Sequence, residues 1–289
     1  MHNILNKSHG VLYVVATPIG NLNDITNRAI SVLSEVDIIA TEDTRHSKKL
    51  LNQYHIKTKQ ISYHKFNEKK RTSKLIDLLL DGKNIALISD AGTPSISDPG
   101  DILIKEAHIN NIVVSPIPGP SSIISAISAS GFGSKPFSFI GFLPKKESHI
   151  GKILDVFSEG ETNIVFLESS KRILKTLRYL KRIYNVEKEI LIAKEISKIY
   201  ENIALETIGH HIQLLEDKKF QNGEFVIIIP AEEIRDEDEG DKNILVLLDL
   251  LLDKKLSYKD SINIVSKFFK LNKNTLYKRF ISLEKKTKI

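Results

Sequence analysis

The sequence predicts an α/β protein made of two successive α/β domains with mostly parallel sheets, followed by a small C-terminal helical module. Three observations predict it. Short apolar, β-branched runs alternate with stretches of helical spacing. Glycine and proline concentrate just after the predicted strand ends. The alternation breaks at 131–139 and stops at an acidic stretch, 231–241.

Residues 11–16 (VLYVVA) form an apolar run stopped by Thr17-Pro18-Ile19-Gly20-Asn21, the pattern of a buried strand. Over 24–34, Ile25, Ala29, Ile30 and Leu33 recur at helical spacing. Residues 36–40 (VDIIA) read as a second strand, 48–54 as a helix and 60–62 as a short strand. A helix over 74–80 is stopped by Asp81-Gly82. The strand 85–88 (IALI) leads into a long loop ending at Gly100, then a helix from 102–107 and a strand at 112–114. The segment 131–139 (GFGSKPFSF) breaks this rhythm and places a domain junction near 130. The first domain is therefore 1–130 and the second 131–230. In the second, strands are expected at 139–142, 164–167, 189–193 and 224–229, with helices at 150–157, 171–183 and 208–215.

Residues 231–241 (AEEIRDEDEGD) read as an acidic linker whose composition cannot support a core. The tail, 242–289, is helical and basic. Residues 244–252 are strongly apolar. Ser257 with Asp260 resembles a capping box opening a helix with Tyr258, Ile262, Val265 and Phe269 on one side. Asn272 and Asn274 suit a turn, and Leu276, Phe280 and Leu283 continue the helical spacing. A helix-turn-helix and a small packing appendage both fit this pattern.

The chain has 289 residues, 41% hydrophobic and 27% charged, a soluble globular composition. It has no cysteine, which excludes disulfides, thiolate metal sites and thiol catalysis. The first ten residues do not read as a signal peptide, and no apolar run approaches the ~18 residues a membrane span requires. A cytoplasmic protein is expected. The net charge of +6 is unevenly placed. Residues 241–289 hold twelve Lys and Arg against five Asp and Glu, a local +7, leaving −1 for the rest. A solvated lysine-rich surface and a polyanion contact both fit that tail.

Three Gly/Pro-rich loops follow strand ends: 17–21, 89–100 (SDAGTPSISDPG) and 116–122 (PIPGPSS). Ligands of open parallel sheets bind outside the carboxyl ends of the strands, so three rigid loops there point to a binding site. Several ligand classes lack their signatures. The chain has no G-x-x-x-x-G-K-[ST], no G-x-G-x-x-G after the first strand, no H-E-x-x-H spacing and no G-x-S-x-G elbow. No metal is expected. The residues alone thus lead to a ligand-binding α/β protein with a basic helical tail, and leave the ligand open.

The segments LYVVATPIGNLNDIT, IATEDTR, YHKFNE, ALISDAGTPSISDPG, PIPGPSSIISAISASG and FIGFLPKK narrow it. In that order they closely resemble the ribosomal RNA ribose methylases of the tetrapyrrole methylase superfamily. The likeness continues through FLESSKRI, IAKEISK and GEFVIII and covers about 10–230, with a tail similar to that family's helical module. Two places depart from the family: Ser169-Ser170-Lys171 stands where Ser-Pro-His is usual, and Ala193-Lys194-Glu195-Ile196-Ser197 replaces A-R-E-L-T. Both bear on local substrate contacts.

The resemblance implies a two-domain tetrapyrrole-methylase-like fold with S-adenosyl-L-methionine held in a cleft between the domains. Carried over by motif, it assigns donor contacts to Pro18, Asp90, Thr93, Ser121, Ser122, Leu167, Ala193 and Glu224. It implies methylation of the ribose 2′-hydroxyl of a cytidine in the decoding region of 16S ribosomal RNA in the small subunit, by a homodimer. Glu42, Asp43, His64 and Glu195 are the candidate general bases, and no choice among them follows from sequence. Arg45, Lys145, Lys146, Lys171 and Arg172 are the candidate RNA contacts. The alternatives are a porphyrin- or corrin-precursor methylase of the same fold, or a non-catalytic RNA-binding module.

Overall fold

A computed structural model describes residues 9–158, 162–231, 236–254 and 256–269. The strand β1 (Val11–Val15) is followed by α1 (Asn27–Glu35), β2 (Ile38–Thr41), α2 (Thr44–Gln53), β3 (Lys59–Ser62) and α3 (Glu68–Leu80). Then come β4 (Ile85–Ile88), α4 (Asp101–Ile109), β5 (Val113–Ile117) and α5 (Ser122–Ser130). The five strands form one sheet in the order β3-β2-β4-β1-β5, and every pairing is parallel. Alternate residues of β4 serve opposite faces. Ile85 and Leu87 pack with Leu12, Leu75 and Leu103, whereas Ala86 and Ile88 pack with Val15, Leu33 and Leu51. Helices cover both faces, so the central strands β2 and β4 are buried at every residue, whereas the edge strand β3 (KQIS) is polar and partly exposed.

The second half contains β6 (Phe137–Phe142), α6 (Glu147–Ser158), β7 (Asn163–Ser169), α7 (Ile173–Tyr184), β8 (Glu189–Lys194) and β9 (Asn202–Thr207). It closes with α8 (Ile208–Glu216), α9 (Lys218–Gln221) and β10 (Glu224–Ile229). The sheet order is β6-β7-β10-β8-β9. The expectation of mostly parallel sheets holds across the chain, but this second sheet is mixed. Only β6 and β7 pair parallel; β7–β10, β10–β8 and β8–β9 are antiparallel. The connection from β8 to β9 spans only residues 195–201. A parallel return needs a crossover of a dozen or more residues, so so short a link forces a reversal.

Besides the single turn α9, two elements were not visible as such in the sequence. Helix α5 carries Ile123, Ala126 and Ile127, which pack against Val165, Leu191, Ala193, Val226 and Ile228 of the second sheet. Strand β9 lies on a sheet edge and is mostly exposed, with no clean apolar alternation. Because α5 bridges the halves, the junction expected near 130 falls inside one compact unit, Met1–Ala231.

The second unit is Glu232–Ile289. Its helices α10 (Asp236–Asp253) and α11 (Tyr258–Phe268) pack through Ile244, Leu248, Ile262 and Val265. Ser257 caps α11, its Oγ accepting from Asp260 N at 3.2 Å. The expected linker 231–241 is shorter than its composition implied, since α10 starts at Asp236. Acidic residue types suit the positive end of a helix, so the composition that argues against a core permits a first turn. The third helical pattern, through Leu276, Phe280 and Leu283, lies outside the described residues.

Candidate active site

The three Gly/Pro-rich loops brace one another. Thr17 N donates to Gly92 O at 2.8 Å and Gly92 N to Thr17 O at 3.0 Å, joining the first loop to the second. Gly92 sits at φ +76°, which favours glycine. Thr93 Oγ1 reaches Pro120 O at 3.5 Å, joining the second loop to the third. Gly119 passes so close to the end of β1 that a Cβ there would lie 3.0 Å from Ala16 Cβ. Ser95 and Ser97 hold left-handed φ values of 67° and 70°. Non-glycine residues adopt such angles only where their surroundings enforce them, as at binding loops.

The loop after β2 joins this frame. Asp43 N donates to Asp90 Oδ1 at 3.1 Å. Glu42 accepts from the backbone N–H of Asp90. From the second half, the turn after β8 reaches across: Ser197 Oγ donates to Asp24 Oδ2. A Cβ on Gly20 would meet Lys198 and the Ser197 carbonyl.

Between these loops and the ends of β7, β8 and β10 lies a cavity of about 530 Å³. Asp90, Thr93, Ser121, Ser122, Leu167, Ala193 and Glu224 all line it, although they come from five separate chain segments. Pro18, the eighth residue of that group, is buried immediately before the lining residue Ile19. Five carboxylates line the cavity: Glu42, Asp90, Asp98, Glu168 and Glu224. Among the described residues, no Lys, Arg or His does. Glu168 is buried and neutralised, its Oε2 3.3 Å from Arg172 and 2.6 Å from Thr176 Oγ1.

The structure separates the four candidate bases. Glu42 lines the cavity, and burial together with the charges of Asp98 and Asp90 raises its pKa. Asp43 instead caps α2 and pairs with Arg45 at 2.8 Å; those hydrogen bonds hold it well below the usual carboxylate range. His64 is not among the lining residues; its Nδ1 accepts from Phe66 N at 3.2 Å and its Nε2 meets Asn67 Nδ2 at 3.1 Å. Glu195 lies outside this cavity. Burial opposes its ionisation, but bonds from Lys198 Nζ and Glu224 N, both 2.9 Å, keep its pKa low.

Among the candidate RNA contacts, Arg45, Lys145, Lys146 and Lys171 are exposed. Arg172 is engaged inside the protein, donating to Leu143 O at 2.7 Å and Pro144 O at 3.2 Å besides its pairing with Glu168.

Asp98 was missed by sequence reasoning. Burial, then the charges of Asp90 and Glu224, push its pKa up to about 6, against a hydrogen bond from Ser89. The only local signal was its place in the same loop as Asp90.

The sequence profile of the Tetrapyrrole (Corrin/Porphyrin) Methylases matches residues 11–211. The chain belongs to the tetrapyrrole methylase family. Full-length relatives agree. The "Ribosomal RNA small subunit methyltransferase I" of Pasteurella multocida is 41% identical, covering 94% of this chain and 97% of its own. That of Pseudomonas aeruginosa is 38% identical over 97% of this chain and 100% of its own. Among solved structures, a cobalt precorrin-4 methyltransferase has a TM-score of 0.59 at 13% identity, covering 78% of this chain and 98% of its own. A diphthine synthase has a TM-score of 0.60 at 10% identity, covering 76% and 89%. These structures establish the shared fold. As a tetrapyrrole methylase the chain is a methyltransferase, and S-adenosyl-L-methionine is the family's methyl donor. Among the described residues, no helix is long and apolar enough to cross a membrane.

Proposed function

We propose that this chain methylates the ribose 2′-hydroxyl of a cytidine in the decoding region of 16S ribosomal RNA, using S-adenosyl-L-methionine bound in the carboxylate-lined cavity. One observation carries the location of the donor: five carboxylates and, among the described residues, no cationic side chain line the cavity, so that even with Glu168 and Glu224 engaged by Arg172 and Lys198 the surplus is negative. That chemistry suits a ligand bearing sulfonium and ammonium charges and repels a phosphate. A volume of about 530 Å³ is ample for such a molecule. The relatives' shared name supports ribosomal RNA of the small subunit as acceptor.

The donor, when bound, supplies an electrophilic methyl group. Asp90 and Glu224 offer carboxylates to its positive charge. Thr93, Ser121 and Ser122 offer hydroxyls to its polar edges, and Leu167 and Ala193 cover its apolar surface. Glu42 accepts the proton of the ribose hydroxyl, and Asp98 keeps negative charge beside it, raising its proton affinity. Lys145, Lys146 and Lys171 contact phosphates and so position the RNA without reading its sequence. The proposal includes a cytoplasmic homodimer, supported by the family resemblance; sedimentation of the purified chain checks the dimer.

The test is a methyl-transfer assay with purified small ribosomal subunits beside a porphyrinogen substrate, read by nucleoside mass spectrometry. A 2′-O-methylcytidine appearing only with the chain is the expected result. Label entering the porphyrinogen alone would overturn the RNA reading, and failure to bind the donor in calorimetry would overturn catalysis itself.

A further inference from the structure

A second cavity, of about 850 Å³, lies within the second half, bounded by β8, β9, α8 and α9. Nothing in the methyl-transfer site uses it. It is separated from the donor cavity by a thin wall: Gly223 and Phe225 line both. Gly223 has φ +121°, and a Cβ there would meet the Glu195 side chain at 2.6–2.9 Å. The wall at this point is glycine backbone with the Glu195 side chain packed against it.

The lining contrasts with that of the donor cavity. Tyr200 is 76% exposed and Phe220 37% exposed, both facing this space. Lys219 Nζ stands 4.7 Å from the Phe220 ring centre and pairs with Asp217 Oδ2 at 3.0 Å, an exposed pair that a phosphate can displace, and Lys194 Nζ stands 6.0 Å from the same ring centre. Lys194 is further fixed by donating to Phe220 O at 2.9 Å. Asn202 and Asn222 add amides. Of the carboxylates here, Glu195 is held by Lys198, and Glu201 accepts from Ser197 N at 2.6 Å. Glu206 stands opposite Ile190 in the β8–β9 register, whereas Lys194 stands opposite Asn202. The two are thus at different ends of the strand pair, roughly 13 Å apart.

Exposed aromatic rings beside lysines and amides match the chemistry of single-stranded RNA, whose unstacked bases cover aromatic faces while lysines meet the phosphates. We propose that this second cavity binds a nucleotide flanking the methylated one. Its base stacks on Tyr200 or Phe220, and its phosphate lies by Lys194 and Lys219. The inference rests on the RNA reading above and extends it. An RNA strand with one ribose at the mouth of the acidic cavity meets these lysines just beyond the wall.

The test compares Tyr200→Ala, Phe220→Ala and the double variant with the wild-type chain on purified small subunits. The expected result is a KM for the subunit raised about tenfold by each single change. kcat and calorimetric donor affinity stay unchanged, Tyr200→Phe restores wild-type KM, and Lys219→Gln flattens the salt dependence of KM. Donor affinity also verifies folding. If the wild-type chain methylates subunits and the variants share its KM, this inference falls and the RNA reading stands. If the wild-type chain transfers no methyl to RNA, both fall. Conversion of a dimer to monomers by these changes would instead assign the surface to a subunit contact and overturn the inference.

Discussion

The two cavities of the first compact unit share a wall and differ in lining. One gathers five carboxylates and, among the described residues, no cationic side chain; the other sets Lys194 and Lys219, interspersed with Glu195, Glu201 and Glu206, beside exposed aromatic rings. A methyl transferase acting on RNA must bring a cationic donor to a polyanionic acceptor. Placing both in one site of uniform charge would repel one of them. The difference teaches that an acidic lining and a mixed, aromatic-rich one can lie side by side behind a wall that Gly223 and Phe225 share.

Several substitutions would break or sharpen this contrast. The largest effect is expected from Glu42→Gln, which keeps shape and removes the proton acceptor: kcat should fall about 10²–10⁴-fold in a single-turnover assay. A variant with unchanged kcat would remove Glu42 from the chemistry. Asp90→Asn can still accept from Asp43 N through its amide oxygen, so it tests charge alone. Donor Kd should rise about tenfold with the subunit KM unchanged, measured by calorimetry and steady-state kinetics. Removing residues 241–289 should weaken subunit binding about tenfold and lessen its salt dependence, leaving donor affinity alone. Equal loss of both affinities would mean that the tail is structural.

The smallest effects concern Asp98. Its carboxyl binds a proton more tightly in the fold, at about 6, than its ordinary value of 3.8. Stability contributed by the protonated form is therefore complete below about pH 4 and is lost as pH rises through about 6. Asp98→Asn should melt about 1–4 °C higher than wild type at pH 8 and no higher at pH 4, by calorimetry. In the same variant, loss of the neighbouring negative charge lowers the pKa of Glu42, so the acid limb of the kcat profile should move to lower pH.

Much of the frame was legible along the chain. The run 85–88 stands as strand β4 with its expected bounds, and Ser257 caps α11 by accepting from Asp260 N. The loops 17–21, 89–100 and 116–122 announced themselves because glycine and proline act locally. Helix α5 was hidden because its serines resemble a loop after Pro116-Ile117-Pro118; what makes it helical is burial against a sheet that begins at Phe137. Strand β9 was hidden because an exposed edge imposes no apolar alternation. Asp98 was hidden because the charges that raise its pKa stand at positions 90 and 224.

What the chain alone determined is therefore what near neighbours decide: strand runs, helix caps, rigid turns, and the ordered motifs that mark a methylase. What needed tertiary structure is what distant segments decide together. Those are the mixed, mostly antiparallel second sheet, the choice of Glu42 over Asp43 as the carboxylate facing the cavity, and the different linings of the two cavities. Backbone propensities act over a few residues, whereas burial and electrostatics sum over everything within several ångströms, whatever its position in the sequence.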